Sequence, residues 1–166
     1  MNKDFSHVVA ARTGNTGIGE LVLLVSAHGL AGLYFGHRLR QAGLPADDAG
    51  HDILNAAEDQ LSEYFAGERK AFDLPLDPRG SDFQREVWDA LCHIPYGTTC
   101  SYREIAQRIG KPKSVRAVGT ANGANPIAII VPCHRVIGAD GSLTGFSAGL
   151  HIKEALLEHE GVLTMA

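Results

Sequence analysis

Cysteine is scarce in this chain, with only Cys92, Cys100 and Cys133 among 166 residues. Three thiols cannot all pair internally, and none of them stands in a C-x-x-C arrangement. A disulfide scaffold, a cysteine-built metal ribbon and a thioredoxin-like motif are therefore excluded, and reduced thiols are expected. Long hydrophobic runs are also lacking: the longest fall far short of the ~20 residues of a membrane helix. The start Met1-Asn2-Lys3-Asp4-Phe5-Ser6 has no apolar core of a signal peptide;. A cytoplasmic location away from membranes is the expectation. No internal repeat or low-complexity tract is present, which removes solenoids and linker-like chains. The glycine-rich stretch 138–149 lacks the lysine signature of a phosphate-binding loop, so a nucleotide cofactor is not expected. Nor is there a basic excess, since the formal net charge is -4, which taken alone speaks against a nucleic-acid partner;.

What is present is enough apolar residue, 45%, for a genuine core in one domain or two small ones;. His7–Arg12, Ile18–Ser26 and Leu30–Phe35 are short β-branched and aliphatic runs separated by Gly14–Gly17 and His28-Gly29, the pattern of an antiparallel meander. Asp47, Asp48 and Gly50 mark a loop. From Asp52 the apolar residues Ile53, Leu54, Ala57, Leu61, Tyr64 and Phe65 recur at helical spacing, with Gly67 as the stop. His7, His28, His37 and His51 show no motif-like spacing and read as surface or internally satisfied side chains. The stretch 72–80, with Pro75, Pro78 and Gly80, breaks the periodicity and reads as a linker. Domain boundaries at 1–79 and 80–166 follow.

In the second half, Ser81 with Gln84 and Ser101 with Glu104 have capping-box spacing, each opening a helix: Phe83, Val87, Trp88 and Leu91 face inward on one, Ile105, Ala106 and Ile109 on the other. After Gly110 and the Lys111-Pro112-Lys113 turn comes a further short helix, Ser114–Asn122, unusually rich in small residues. Helix, turn and helix in this order outline a helix-turn-helix. Between Ser101 and Ala117 stand Arg103, Arg108, Lys111, Lys113 and Arg116 against Glu104 alone, a basic patch on an otherwise acidic chain;. Two readings stay open here, phosphate contact and a solvated helical face. A last helix, His151–Glu160, directs Ile152, Ala155, Leu156 and His159 to one side and ends at Gly161.

The apolar run Ile127–Val131 reads as a buried strand or core segment, and Pro132 ends it just before Cys133-His134-Arg135. A histidine, an arginine or a helix N-terminus lowers a thiol pKa from about 8.5 and makes a nucleophile of it. A buried cysteine serving as a small hydrophobe remains the alternative. Adjacent side chains on an extended chain point to opposite faces, so a Cys-His contact needs a turn, a water or a third residue.

Pro132-Cys133-His134-Arg135-Val136, with Tyr102, Arg116-Ala117-Val118-Gly119 and Asn125-Pro126 before it and His159-Glu160-Gly161 after it, resembles the O6-alkylguanine-DNA alkyltransferases, also called methylated-DNA–protein-cysteine methyltransferases. The likeness spans roughly residues 80–162; the first half is similar to bacterial members more weakly, through Ile18-Gly19 and Tyr64-Phe65-Ala66-Gly67-Glu68. It implies an α/β (α+β) fold: a small N-terminal antiparallel sheet with a helix, then a mostly helical domain containing a helix-turn-helix. It further implies Cys133 as alkyl acceptor, His134 acting through a bridging water, Glu160 orienting His134, Asn125 orienting the active-site turn, and Tyr102 easing departure of the guanine. Arg116 would fill the stack vacated by a flipped base. Ala117, Gly119 and Ala121 would enter the minor groove, with Ser114 and Asn122 as further contacts.

The family's alkyl pocket maps onto Phe146 and Ser147, with Phe146 where tyrosine is common. Some members bind zinc through N-terminal cysteines, but this chain has none before Cys92, so no metal and no cofactor are expected. The expected partner is double-stranded DNA with alkylated guanine, with alkylated thymine O4 as a further substrate, and a monomer suffices. Two other classes stand beside this one. The related alkyltransferase-like proteins bind lesions and recruit other repair factors but have lost the nucleophile. A cysteine hydrolase would turn over without DNA.

Overall fold

The N-terminal apolar runs pair as an antiparallel meander of β1 (Val8–Thr16), β2 (Gly19–Ser26) and β3 (Leu30–Phe35). These and all other features come from a computed structural model that describes residues 4–36, 44–45 and 51–162. β1 runs further than its glycine suggests. Gly14, Asn15 and Thr16 stay in the ladder opposite Leu21, Glu20 and Gly19, and only Gly17-Ile18 turns. Gly19, which opens β2 just after the turn, takes a positive φ (134°) that glycine adopts without strain, and Thr16 Oγ1 donates to its carbonyl at 2.8 Å;.

The central strand β2 is buried from Leu21 to Ser26. Val22 and Leu24 join Val8 in a small core lined by Phe5, Ala11, Tyr34 and Leu44. Helix α1 (Asp52–Phe65) packs on the strands and buries Leu54, Ala57, Leu61 and Tyr64. His51 has a local task, since its Nδ1 accepts from Ile53 N at 3.2 Å and caps α1;. The expected loop at Asp47, Asp48 and Gly50, like His37, lies outside the described residues.

The stretch 72–80 is less of a free linker than its prolines suggest. Leu30 N donates to Pro75 O, Asp77 N to Leu30 O, and Ser26 Oγ to Asp77 Oδ2, which stitches it to β3 and to the end of β2. A side chain at Gly29 would meet the Pro75 carbonyl at 2.6 Å, so this close approach requires glycine;. The chain divides just beyond, into the units Met1–Pro78 and Arg79–Ala166.

In the second unit, α2 (Asp82–Leu91) opens on the Ser81/Gln84 capping box. The Ser101/Glu104 box follows, at the junction of the two-residue strand β4 (Cys100–Ser101) with α3 (Tyr102–Arg108). Gly110 N bonds Gln107 O and Lys111 N bonds Ala106 O, a Schellman stop that turns the chain toward α4 (Val115–Gly123);. Trp88, 2% exposed, donates its indole N–H to Ala121 O at 2.8 Å and ties α2 to α4. β4 pairs in parallel with β5 (Val136–Ile137), and α5 (Leu150–His159) closes the unit. Its buried residues are Ile152, Lys153, Leu156 and Leu157, rather than the Ala155 and His159 of the expected face. That shift places a lysine inside. Among the described residues no helix is long and apolar enough to cross a membrane.

Candidate active site

The run leading to Cys133 is no strand. Ile129 adopts φ 71°, a left-handed conformation that costs a β-branched residue on the order of 1–3 kcal/mol;. Burial of Ile127, Ile129 and Val131 and two short-range bonds, Ile130 N to Ala128 O and Val131 N to Ile127 O, hold it there. Asn125 takes the place of a neighbouring strand: its Nδ2 donates to Val131 O at 2.8 Å and its Oδ1 accepts from Ile127 N at 3.0 Å. Pro132 then leads into a single 3₁₀ turn, Cys133–Arg135, with all three side chains buried. Asn122, expected at the DNA surface, is instead 2% exposed and donates to Cys133 O at 3.3 Å. Its place on the inner side of α4 accounts for the difference, and two asparagines thus fix the carbonyls on either side of Pro132.

His134 and Glu160 come together as the resemblance implied. His134 Nε2 lies 2.8 Å from Glu160 Oε2, and both side chains are fully buried. A carboxylate can only accept, so Nε2 carries the proton, and in the neutral imidazole Nδ1 is then the nitrogen with the lone pair. That Nδ1 is buried without a hydrogen-bond partner among the described residues. Glu160 reaches the site because it caps α5, where the Gly161 stop turns the backbone;. Arg135 grips the same carboxylate, Nε to Oε1 at 2.8 Å and Nη2 to Oε2 at 3.0 Å, while Nη1 donates to Ile94 O.

Cys133 is not a resting thiolate. Burial pushes its thiol up to about 11, against the opposing pull of the Asn125 side chain, the Lys153 ammonium and the backbone N–H groups of Cys133 and His134;. Those groups are nonetheless placed to receive negative charge on sulfur once the proton leaves. His134 is held below its ordinary value, first by burial, against the attraction of Glu160.

Lys153 escaped the sequence reading. Its ammonium, inside the fold, donates to Val136 O at 2.6 Å and Thr144 O at 2.8 Å, and burial lowers it to about 8. A lysine between Ile152 and Leu156 on the buried stripe was the available signal. Tyr102 OH donates to the same Thr144 carbonyl at 3.2 Å, so loop 138–149 is fastened to both the phenol and the ammonium. In that loop Phe146 is half-buried and Ser147 exposed.

On α4, Arg116, Ala117, Thr120 and Gly123 form the exposed side. No partner holds the Arg116 side chain among the described residues. Gly119 faces Tyr102, whose ring stands 3.8 Å from where a Cβ would be. Ala121 is buried rather than outward, and Ser114 is half-buried at the helix start with no side-chain capping bond.

A buried cysteine packed under α4 and set beside a histidine–carboxylate pair defines a protein built around a single sulfur nucleophile. Residues 82–162 match the 6-O-methylguanine DNA methyltransferase, DNA binding domain, and residues 10–78 match the ribonuclease-like domain of the same proteins. The methylated-DNA–protein-cysteine methyltransferase of Methanosarcina barkeri is 52% identical over 86% of this chain and 91% of its own length. The crystal structure of Mycobacterium tuberculosis OGT in complex with DNA is 51% identical over 92% of each chain, with a TM-score of 0.84. The solved structure of an O6-methylguanine DNA methyltransferase from Methanococcus jannaschii is 27% identical over 93% of this chain and 95% of its own, with a TM-score of 0.68. The chain belongs to the methylated-DNA–protein-cysteine methyltransferase family.

Proposed function

We propose that this chain repairs DNA by moving an alkyl group from O6 of guanine to Cys133 Sγ, once per molecule. The observation that carries the reading is His134, proton-bearing toward Glu160 on one nitrogen and open on the other, in the residue next to a buried thiol. The sulfur–carbon bond forms as the O6–carbon bond breaks. The thiol proton passes to His134 Nδ1, through water where the contact is not direct, and ends on the departing guanine. Tyr102 supports that departure by offering its phenol to N3. A stable thioether leaves Cys133 spent, so the protein is a stoichiometric reagent needing no cofactor.

The target atom lies inside the duplex, so the base is flipped at a cost of about a few kcal/mol. The exposed Arg116 fills the gap, while Ala117 and Gly119 let α4 approach the minor groove and Ser114 adds a contact at its start. Phe146 and Ser147 border the alkyl pocket, whose loop is held by Tyr102 and Lys153. Thymine O4 offers the same alkyl–oxygen bond and is a second substrate, and double-stranded DNA is the one partner required. Incubation with a duplex containing O6-methylguanine should place one methyl on the Cys133 peptide by mass spectrometry and remove the lesion. Unmodified Cys133 beside an undiminished lesion overturns the reading, and retained binding in that case would mark a lesion-recognition protein instead.

A further inference from the structure

We propose that Arg135 is a positioning residue for the transfer: by gripping both oxygens of Glu160 it keeps His134 a neutral imidazole whose Nδ1 is open to the Cys133 proton. The inference rests on the reading of His134 as proton acceptor. Glu160 Oε2 is shared, at 2.8 Å from His134 Nε2 and 3.0 Å from Arg135 Nη2. The guanidinium is anchored independently of the site, by Ile94 O at 2.8 Å and over the Tyr96 ring at 5.6 Å.

Charge counting follows from this geometry. Within the trio, Arg135 and Glu160 cancel and a neutral His134 leaves no net charge, while the Lys153 ammonium stands beyond it on Val136 O and Thr144 O; a proton on His134 would add a further positive charge where water is excluded. Without the arginine the balance inverts. Glu160 would then hold an imidazolium as its counterion, and Nδ1 would already be occupied. Glu160 and Lys153 face His134 from α5, Arg135 and Cys133 from its own turn, and Tyr96 lies against Arg135 and Glu160 from the segment after α2. Burial first, then the Arg135 and Lys153 cations, oppose the attraction of Glu160 for a proton on His134. Moving the proton from Sγ to Nδ1 therefore changes no net charge in the wild-type cluster. In an Arg135→Gln protein, thiolate formation instead releases a proton to solvent, so its rate rises with pH.

The test is a pH profile of single-turnover methyl transfer from O6-methylguanine duplex for wild type, Arg135→Gln and Arg135→Lys, joined to ¹⁵N NMR of the His134 ring. The wild-type rate should fall only below about pH 6.5. Arg135→Gln should move that limb upward by roughly 1–3 units, and Arg135→Lys, which keeps the charge, should leave it near the wild-type position. At neutral pH the wild-type ring should carry its proton on Nε2 alone. A slower Arg135→Gln protein with an unmoved limb overturns the proposal. Should Arg135→Gln not fold, the wild-type spectrum decides: the Nε2–H tautomer supports it, while an imidazolium or an Nδ1–H tautomer sinks it. Because the spectrum needs no transfer, failure of wild-type Cys133 to accept methyl is seen separately, as failure of the underlying function.

Discussion

Among the described residues, the first unit buries one polar side chain, Ser26, whereas the second buries Asn122, Asn125, His134, Arg135, Lys153 and Glu160. Both units have apolar cores of similar character, so the contrast is not one of composition. The first is stabilised by removing side chains such as Leu23, Leu33 and Leu54 from water;. In the second, ionic and amide groups are taken into the interior, where each needs partners and where hydrophobic replacements would often be as stable. Such a cluster around one cysteine marks where chemistry, rather than stability, has determined the residues.

Glu160→Gln should break this contrast most severely. It leaves Arg135 without its counter-charge and His134 without a full acceptor, with an expected loss of about 3–5 kcal/mol in the second unit and a collapse of transfer. Urea unfolding followed by fluorescence of Trp88, the chain's single tryptophan and a member of that unit, measures it. Leu54→Ala should cost about 2–5 kcal/mol in the first unit, read by far-UV dichroism, while the folded protein transfers methyl at an unchanged rate. A changed rate would show that the first unit shapes the site.

A pH titration sharpens the difference further. The folded value of His134 lies below its unfolded value, 6.5, so the unfolded chain takes up the proton first as pH falls. Its contribution is complete above that value and is lost as pH drops through the folded one. The Trp88 unfolding midpoint should decline just below pH 6.5, and Glu160→Gln, which removes the carboxylate attraction, should alter that decline. The smallest effect separates two serines of the helix-turn-helix: Ser101→Ala loses a capping box and about 1 kcal/mol;, whereas Ser114, which caps nothing, should be replaceable by alanine with no measurable shift.

Local chemistry made much of the molecule legible in advance. Short β-branched and aliphatic runs between turn residues announced the meander, serine–glutamine and serine–glutamate spacings announced α2 and α3, and Gly110 and Gly161 marked the helix ends, because each depends on a few neighbouring residues. The Cys133 motif, together with His134, Glu160, Asn125 and Tyr102, was legible through resemblance. Its activation was not: neighbouring cations and histidine suggested a lowered thiol pKa, while the interior raises it. Asn122 and Ala121 were expected to face outward because small and polar residues on a recognition helix read that way, and only the packing of α4 on α2 and on the Cys133 turn placed them inside.

By itself, then, the amino-acid order determined the three-stranded meander, the capped starts of α2 and α3 and the glycine stops, and through resemblance it pointed to Cys133. Tertiary structure alone decided that Ile127–Val131 is a strained turn rather than a strand, that Lys153 lies within the core, and that Arg135 and His134 share one carboxylate from 25 or more residues away. The reason is physical. Periodicity and capping are energies of adjacent residues, whereas desolvation and the pairing of buried charges depend on what the folded chain brings around each group, and nothing in the local order encodes that distance.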